Sequence, residues 1–252
     1  MRILISNDDG WQAEGIRVLA ERLKKVGKVV VVAPDRQRSA AGHGITLHRP
    51  LFVQYHKLCE GVDAYAVSGT PADCVKIGVN EIMKDAPPDI VVSGINEGSN
   101  LGSDVIYSGT VSAAIEGAIQ GIPAIAVSQC GHSHFDYTGA ADFTAKLIGQ
   151  VLQHGLTKDT VINVNYPAVK PDAVKGVKVA TLGERRYHND FQKHYSPRGE
   201  AYYWLGGDLK DLDVHPDSDI QAVKDDYIAV SPVHFDFTHF GLMNELKKWT
   251  LD

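Results

Sequence analysis

The chain has 252 residues, 44% of them apolar and 22% charged, and carries a net charge of −6. That length can bury a sizeable core in one large domain or a domain with an appendage, and the composition excludes a disordered chain. An acidic balance without a basic run excludes the clustered cationic footprint of a duplex nucleic-acid binder. The longest apolar run, around "VVVVA", falls far short of the roughly 20 residues of a membrane span, so no membrane partner is expected. Cys59, Cys74 and Cys130 are odd in number and form no C-x-x-C pair, which fits a reducing compartment. With too short an apolar start for a signal peptide, the expected location is the cytoplasm.

In chain order, "RILIS" reads as a strand buried on both faces, because it is apolar without alternation. "EGIRVLAERLKKVG" places Ile16, Leu19, Ala20 and Leu23 on one helical face and stops at Gly27. "KVVVVAP" is a second buried strand. The alternation continues with strand "DAYAVSG", helix "PADCVKIGVNEIM", strand "PPDIVVSG" and helix "TVSAAIEGAIQG". Strand "PAIAVS", a helix near "YTGAADFTAKLIGQVLQHG" and strand "TVINVNYP" close the series. Strands alternating with helices predict an α/β, Rossmann-like three-layer sandwich around a mostly parallel sheet. After residue 166 the rhythm changes to strands and loops rich in Tyr and His, ending in a helix at "FGLMNELKKW". The division expected is therefore a core over 1–166 and a smaller β-rich extension over 167–252, part of the same unit.

In such a sheet, ligands bind beyond the carboxyl ends of the strands. The loops there are expected to begin at Asn7, Asp35, Ser68, Ile95 and Ser128, on one edge. "SNDDG" supplies Asp8 and Asp9, which repel each other unless a cation or water screens them. A solvated turn is the plain alternative, since Asn, Asp and Gly favour turns. "APDRQRSAAGHG" adds Ser39 beside Asp35, Arg36, Arg38 and His43, and "SGINEGSNLGSDVIYSGT" adds Asn96 and Asn100. Carboxylate, hydroxyl and amide oxygens are hard donors, which suit Mg²⁺ or Mn²⁺. Ser108, Gly109 and Thr110 stand where that last loop enters a helix, either as an ordinary N-cap or as a phosphate site.

Other signals weigh less. "SGTPADCV" reads first as a well-capped packing helix with Pro71 in its first turn. His132, His134, His188, His194, His234 and His239 lack the paired cysteines or H-E-x-x-H helix of a zinc site. Tyr202, Tyr203 and Trp204 belong to a strand that packs core or a subunit interface, with base stacking as the weaker reading.

"ILISNDDG", "APDRQRSAAG", "VSGTPADCV", "VSGINEGSNLG" and "YSGTVSAAIEG", in this order and spacing, resemble the SurE (survival protein E) nucleotidases, as does "PRGEAYYWLGGD" in the extension. One departure is Ser196, which stands before "PRG" where the family usually has an acid. The resemblance implies a Rossmann-like core with a partly swapped C-terminal region that builds homodimers or homotetramers. It implies hydrolysis of nucleoside 5′- and 3′-monophosphates with one divalent cation per subunit, and in some members of short polyphosphate. The metal ligands it implies are Asp8, Asp9, Ser39 and Asn96.

The reading is a metal-dependent nucleotide phosphomonoesterase with Asp8, Asp9 and Asn96 as catalytic residues. Asn96, Ser108, Gly109 and Thr110 are its phosphate-binding residues. Attack by water, with Asp9 or Asp8 as base, and attack by a carboxylate through an aspartyl phosphate both stay open. A phosphoreceiver domain also pairs acids after its first strand, but it needs an acceptor Asp where "DIVVSGIN" ends in Asn96. A non-catalytic nucleotide-binding module would not need two adjacent carboxylates.

Overall fold

A computed structural model of the chain describes residues 1–131, 136–213 and 215–250, the side chains of 187–189, 208–210 and 213 excepted. The apolar runs form the parallel strands β1 (Arg2–Ser6), β2 (Lys28–Pro34), β4 (Val62–Val67), β5 (Ile90–Glu97), β6 (Ala124–Gln129) and β7 (Thr160–Tyr166). An antiparallel edge strand, β3 (Val53–Cys59), precedes β4. From beyond residue 166, β11 (Ile228–His234) pairs antiparallel with β7, and β8 (Val177–Val179) pairs with β11. The sheet order is β3-β4-β2-β1-β5-β6-β7-β11-β8.

Helices cover both faces, as the unalternating strands require. On one face, α1 (Glu14–Leu23) turns Ile16, Leu19, Ala20 and Leu23 onto the sheet beside α5 (Thr138–His154). Each of those fully buried Ile and Leu side chains stabilises the fold by about 1.5–3 kcal/mol. On the other face, α2 (Pro71–Ile77) and α4 (Gly109–Ile119) bury Cys74, Val75, Val111, Ala113 and Ala114. A single turn, α3 (Asp104–Tyr107), leads into α4.

Two strands stand apart. Among the described residues, β9 (Glu184–Tyr195) and β10 (Ala201–Asp213) pair only with each other in a long antiparallel ribbon. The Ser196 hydroxyl accepts the N–H groups of Arg198 and Glu200 at its tip, so this residue serves the turn. At its base, buried Arg185 reaches Asp104 of α3 at 2.7 Å and Asp211 at 3.0 Å. The core alternative for Tyr202, Tyr203 and Trp204 is not met: all three are exposed, because the ribbon leaves the sheet. After α6 (Asp219–Lys224) and β11 comes α7 (Phe240–Leu246), with none of its residues buried. No helix among the described residues is long and apolar enough to cross a membrane.

Candidate active site

The site begins in the turn after β1. The Asn7 amide donates to the Gly10 carbonyl at 3.0 Å and accepts the Gly10 N–H at 3.1 Å. Gly10 sits at φ 101, which a side chain would strain. The turn is thereby closed by its flanking residues, and its two acids remain for other partners.

Those partners come from distant segments. The Thr110 hydroxyl donates to Asp8 Oδ1 and lies 3.3 Å from Asn96 Oδ1, so one group from the start of α4 gathers oxygens from two strands. The Asn96 amide donates to the Gly98 carbonyl at 2.8 Å, which fixes the side chain with its oxygen toward Thr110. Asp9 Oδ2 accepts the Glu97 N–H at 3.0 Å. The loop after β2 is sewn to the same turn, since the Arg38 N–H donates to the Asp8 carbonyl at 2.7 Å. Gln37 bonds to Asp9 through its side chain and donates to Ser39 Oγ at 3.0 Å. The four sequence-predicted oxygen donors thus belong to one linked cluster. β5 and β6 run on to Glu97 and Gln129, past the expected loop starts at Ile95 and Ser128. A register shift between Ser93 and Asn96 puts Asn96 at a strand end rather than in a loop.

The two carboxylates differ electrostatically. Burial pushes the Asp8 carboxyl up, while the Thr110 hydroxyl and the N–H groups of Thr110 and Gly109 pull against it. Asp9 is raised from 3.8 to about 6, mainly by burial and further by the charges of Asp8 and Glu97. A divalent cation would relieve that repulsion, and the donor set is all oxygen, as Mg²⁺ or Mn²⁺ prefers. Among the described residues no three His, Cys, Asp or Glu side chains group around a common metal position. Asn96 and Ser39 would therefore have to complete the shell.

The phosphate-binding candidates meet at the start of α4. Ser108 is its N-cap, its Oγ accepting the Val111 N–H at 3.1 Å. The Gly109 and Thr110 N–H groups bond to Asp8, so the positive end of the helix already faces an anion. A Cβ on Gly109 would stand 2.7 Å from Asp8 Cβ, so only glycine allows this approach.

Asn100 is committed elsewhere. Its N–H donates to Asn165 Oδ1 at 2.8 Å, its carbonyl accepts from Asn163 and Asn165, and its amide donates to Ser128. This buried network holds the 98–104 segment down on the sheet. "SGTPADCV" forms the expected capped helix, with Thr70 and Asp73 in a capping box. His132 and His134 lie outside the described residues, as does the side chain of His188. His194 stacks on Tyr202, and His239 caps α7.

A cleft of about 1570 Å³ opens between α3, α4, the ribbon and the end of β11, its rim reached by Ala40 and His43. Asp8, Asp9 and Asn96 do not line it.

Comparison with known proteins shows the family and the fold. The family model described as Survival protein SurE matches residues 3–189. A protein named 5′-nucleotidase SurE from Alkaliphilus metalliredigens (strain QYMF) is 51% identical over the full length of both chains. One of the same name from Pelotomaculum thermopropionicum is 52% identical, covering 98% of this chain and 95% of its own. The crystal structure of the SurE protein from Aquifex aeolicus superposes with a TM-score of 0.84 at 40% identity, covering 98% of each chain. On the match over most of its length, the chain belongs to the SurE family.

Proposed function

We propose that the chain is a divalent-cation-dependent phosphomonoesterase that converts nucleoside 5′- and 3′-monophosphates to nucleoside and phosphate, with short polyphosphate as a further substrate. The name 5′-nucleotidase, borne by relatives about half identical to this chain, supports the reaction. The observation that carries it here is the Thr110 hydroxyl between Asp8 Oδ1 and Asn96 Oδ1, beside an Asp9 raised to about 6.

Asp8, Asp9, Ser39 and Asn96 would hold Mg²⁺ or Mn²⁺. The cation would supply charge to a phosphate oxygen and offset the charge developing on the transferring group. Asp8 is fixed by Thr110 and shielded from water, which suits a rigid ligand. Asp9 is less buried than Asp8 and open to solvent on one side, which suits the base that takes a proton from attacking water. Asn96, the Ser108 hydroxyl and the N–H groups of Gly109 and Thr110 would hold phosphate oxygens, sharing the helix terminus with Asp8. Trapping an aspartyl phosphate on Asp8 or Asp9 would replace water attack by the covalent route.

Purified protein is expected to release inorganic phosphate from AMP with Mn²⁺ or Mg²⁺, and EDTA to stop it. No release with any common divalent metal would remove the enzyme reading.

The metal and phosphate residues all fall in 1–166, and we assign the extension over 167–252 to assembly of a homodimer or homotetramer. The exposed side chains of Phe191, Tyr203, Trp204 and Phe237, and the unburied α7, support that assignment. Light scattering should give a mass two or four times that of one chain; a single-chain mass would remove it. Three free cysteines are consistent with a cytoplasmic protein.

A further inference from the structure

The loop that carries Ser39 is anchored at its far end by a buried charge cluster that the reaction does not use. Glu116 lies on α4 with its side chain 3% exposed. Lys76 of α2 donates to Oε1 at 2.8 Å, Gln120 donates to the same oxygen at 2.8 Å, and His43 Nε2 lies 3.0 Å from Oε2. These partners hold Glu116 down at about 2, against the burial that raises it, so it is a carboxylate and His43 is the donor. Two of the three donors belong to the helical scaffold. The third is the loop's own.

That difference separates the fold from the loop. Lys76 and Gln120 leave Glu116 paired even without His43, so the buried charge is not orphaned by removing the ring. The loop is tied elsewhere to the segment before α2, where the Arg38 guanidinium donates to the Ser68 carbonyl at 3.2 Å and the Thr70 hydroxyl to the Gly44 carbonyl at 2.7 Å. At its start the Arg38 N–H holds the Asp8 carbonyl, and at its end the Gly42 N–H holds the Tyr107 carbonyl at 3.1 Å. Between them Ser39 and Ala40 are exposed, and Ala40 and Gly42 adopt φ 56 and φ 54. A left-handed alanine persists only where its surroundings hold it. His43 is the side-chain tie that joins this segment to α4, the helix whose first turn grips Asp8.

We propose that His43 is a positioning residue: its bond to Glu116 keeps Ser39 in register with Asp8 and Asp9 and so sets the affinity for the divalent cation. This rests on the metal site proposed above. Removing a partner that orients a metal ligand costs roughly 10- to 100-fold in affinity.

The test is Mn²⁺ binding, followed by the paramagnetic resonance of the free ion, in the wild-type protein, His43→Ala and His43→Gln. The dissociation constant is expected to rise at least about tenfold in His43→Ala, with the thermal midpoint nearly unchanged. In His43→Gln the amide nitrogen reaches the place of Nε2 and should restore binding to within about threefold of wild type. Amide hydrogen exchange over residues 37–42 should quicken in His43→Ala and not in His43→Gln. Wild-type affinity in His43→Ala, equal weakness in both variants, or a His43→Ala chain that does not fold each overturns the proposal. A wild-type protein that binds no Mn²⁺ overturns the metal reading instead. The exchange rates then decide whether His43 holds the loop, unchanged rates overturning that too.

Discussion

Asp9→Asn is expected to be more stable than the wild-type protein in metal-free buffer at pH 8, and nearly inactive with Mn²⁺ present. The Asp9 carboxyl stands at about 6 rather than 3.8, chiefly because it is buried and also because Asp8 and Glu97 repel it. Its folded form therefore binds a proton more tightly than its unfolded form. The stability this group contributes is complete below about pH 4 and is lost as pH rises to about 6, after which the charged carboxylate is a constant cost. Because Asp9 is partly exposed, solvent screening reduces that cost to roughly 1–2 kcal/mol. Asparagine removes the charge and still accepts the Glu97 N–H. Urea denaturation in EDTA between pH 4 and pH 8 should show wild type losing stability over this window and the variant not. With Mn²⁺ the order should reverse, since the cation stabilises only the chain that binds it. Phosphate release from AMP should fall roughly 10²- to 10³-fold, the scale for losing one electrostatic group at a reacting centre. Wild-type turnover would return "SNDDG" to a plain solvated turn.

Much of this candidate site is legible in the sequence, for a physical reason. β1, β2, β5 and β6 are unalternating apolar runs, and the chain must turn polar where such a strand leaves the sheet. Asp8, Asp9, Ser39 and Asn96 therefore mark one edge from local pattern alone. What connects them was not legible. Thr110 reaches Asp8 across 102 positions, and His43 reaches Glu116 across 73, so neither bond leaves a local trace. Gln37, whose side chain links Asp9 to Ser39, looked like any other polar loop residue. β3 is not legible because "VQYHKLC" lacks the unbroken apolar run of the buried strands, and as an edge strand it buries none of its residues. The turn at Glu60 and Gly61, with Gly61 at φ 79, was the available signal for that hairpin. Tyr202, Tyr203 and Trp204 mislead for another reason: an aromatic strand has the same composition whether it packs on its own sheet or waits for another surface.

Gly109→Ala is expected to lower turnover about a hundredfold, against what helix propensity alone predicts. Alanine favours a helix over glycine by about 1 kcal/mol, and the backbone at Gly109 is helical. The obstacle is Asp8. An alanine Cβ would lie 2.7 Å from Asp8 Cβ and 2.9 Å from Oδ2, well inside ordinary contact. Asp8 cannot swing aside freely, because Thr110 holds Oδ1 and the side chain is enclosed. Either the first turn of α4 or the carboxylate must move by a sizeable fraction of an ångström. A displacement near 1 Å at reacting groups costs on the order of 10² in rate. Gly149→Ala supplies the control, since it too lies in a helix and its added Cβ meets nothing within 4 Å. That variant should gain about 0.5–1 kcal/mol and keep full activity. If both alanines behave alike in turnover and Mn²⁺ binding, the approach of α4 to Asp8 does not matter to the reaction. If only Gly109→Ala fails, the missing side chain at the start of α4 is what lets one helix hold Asp8 in place.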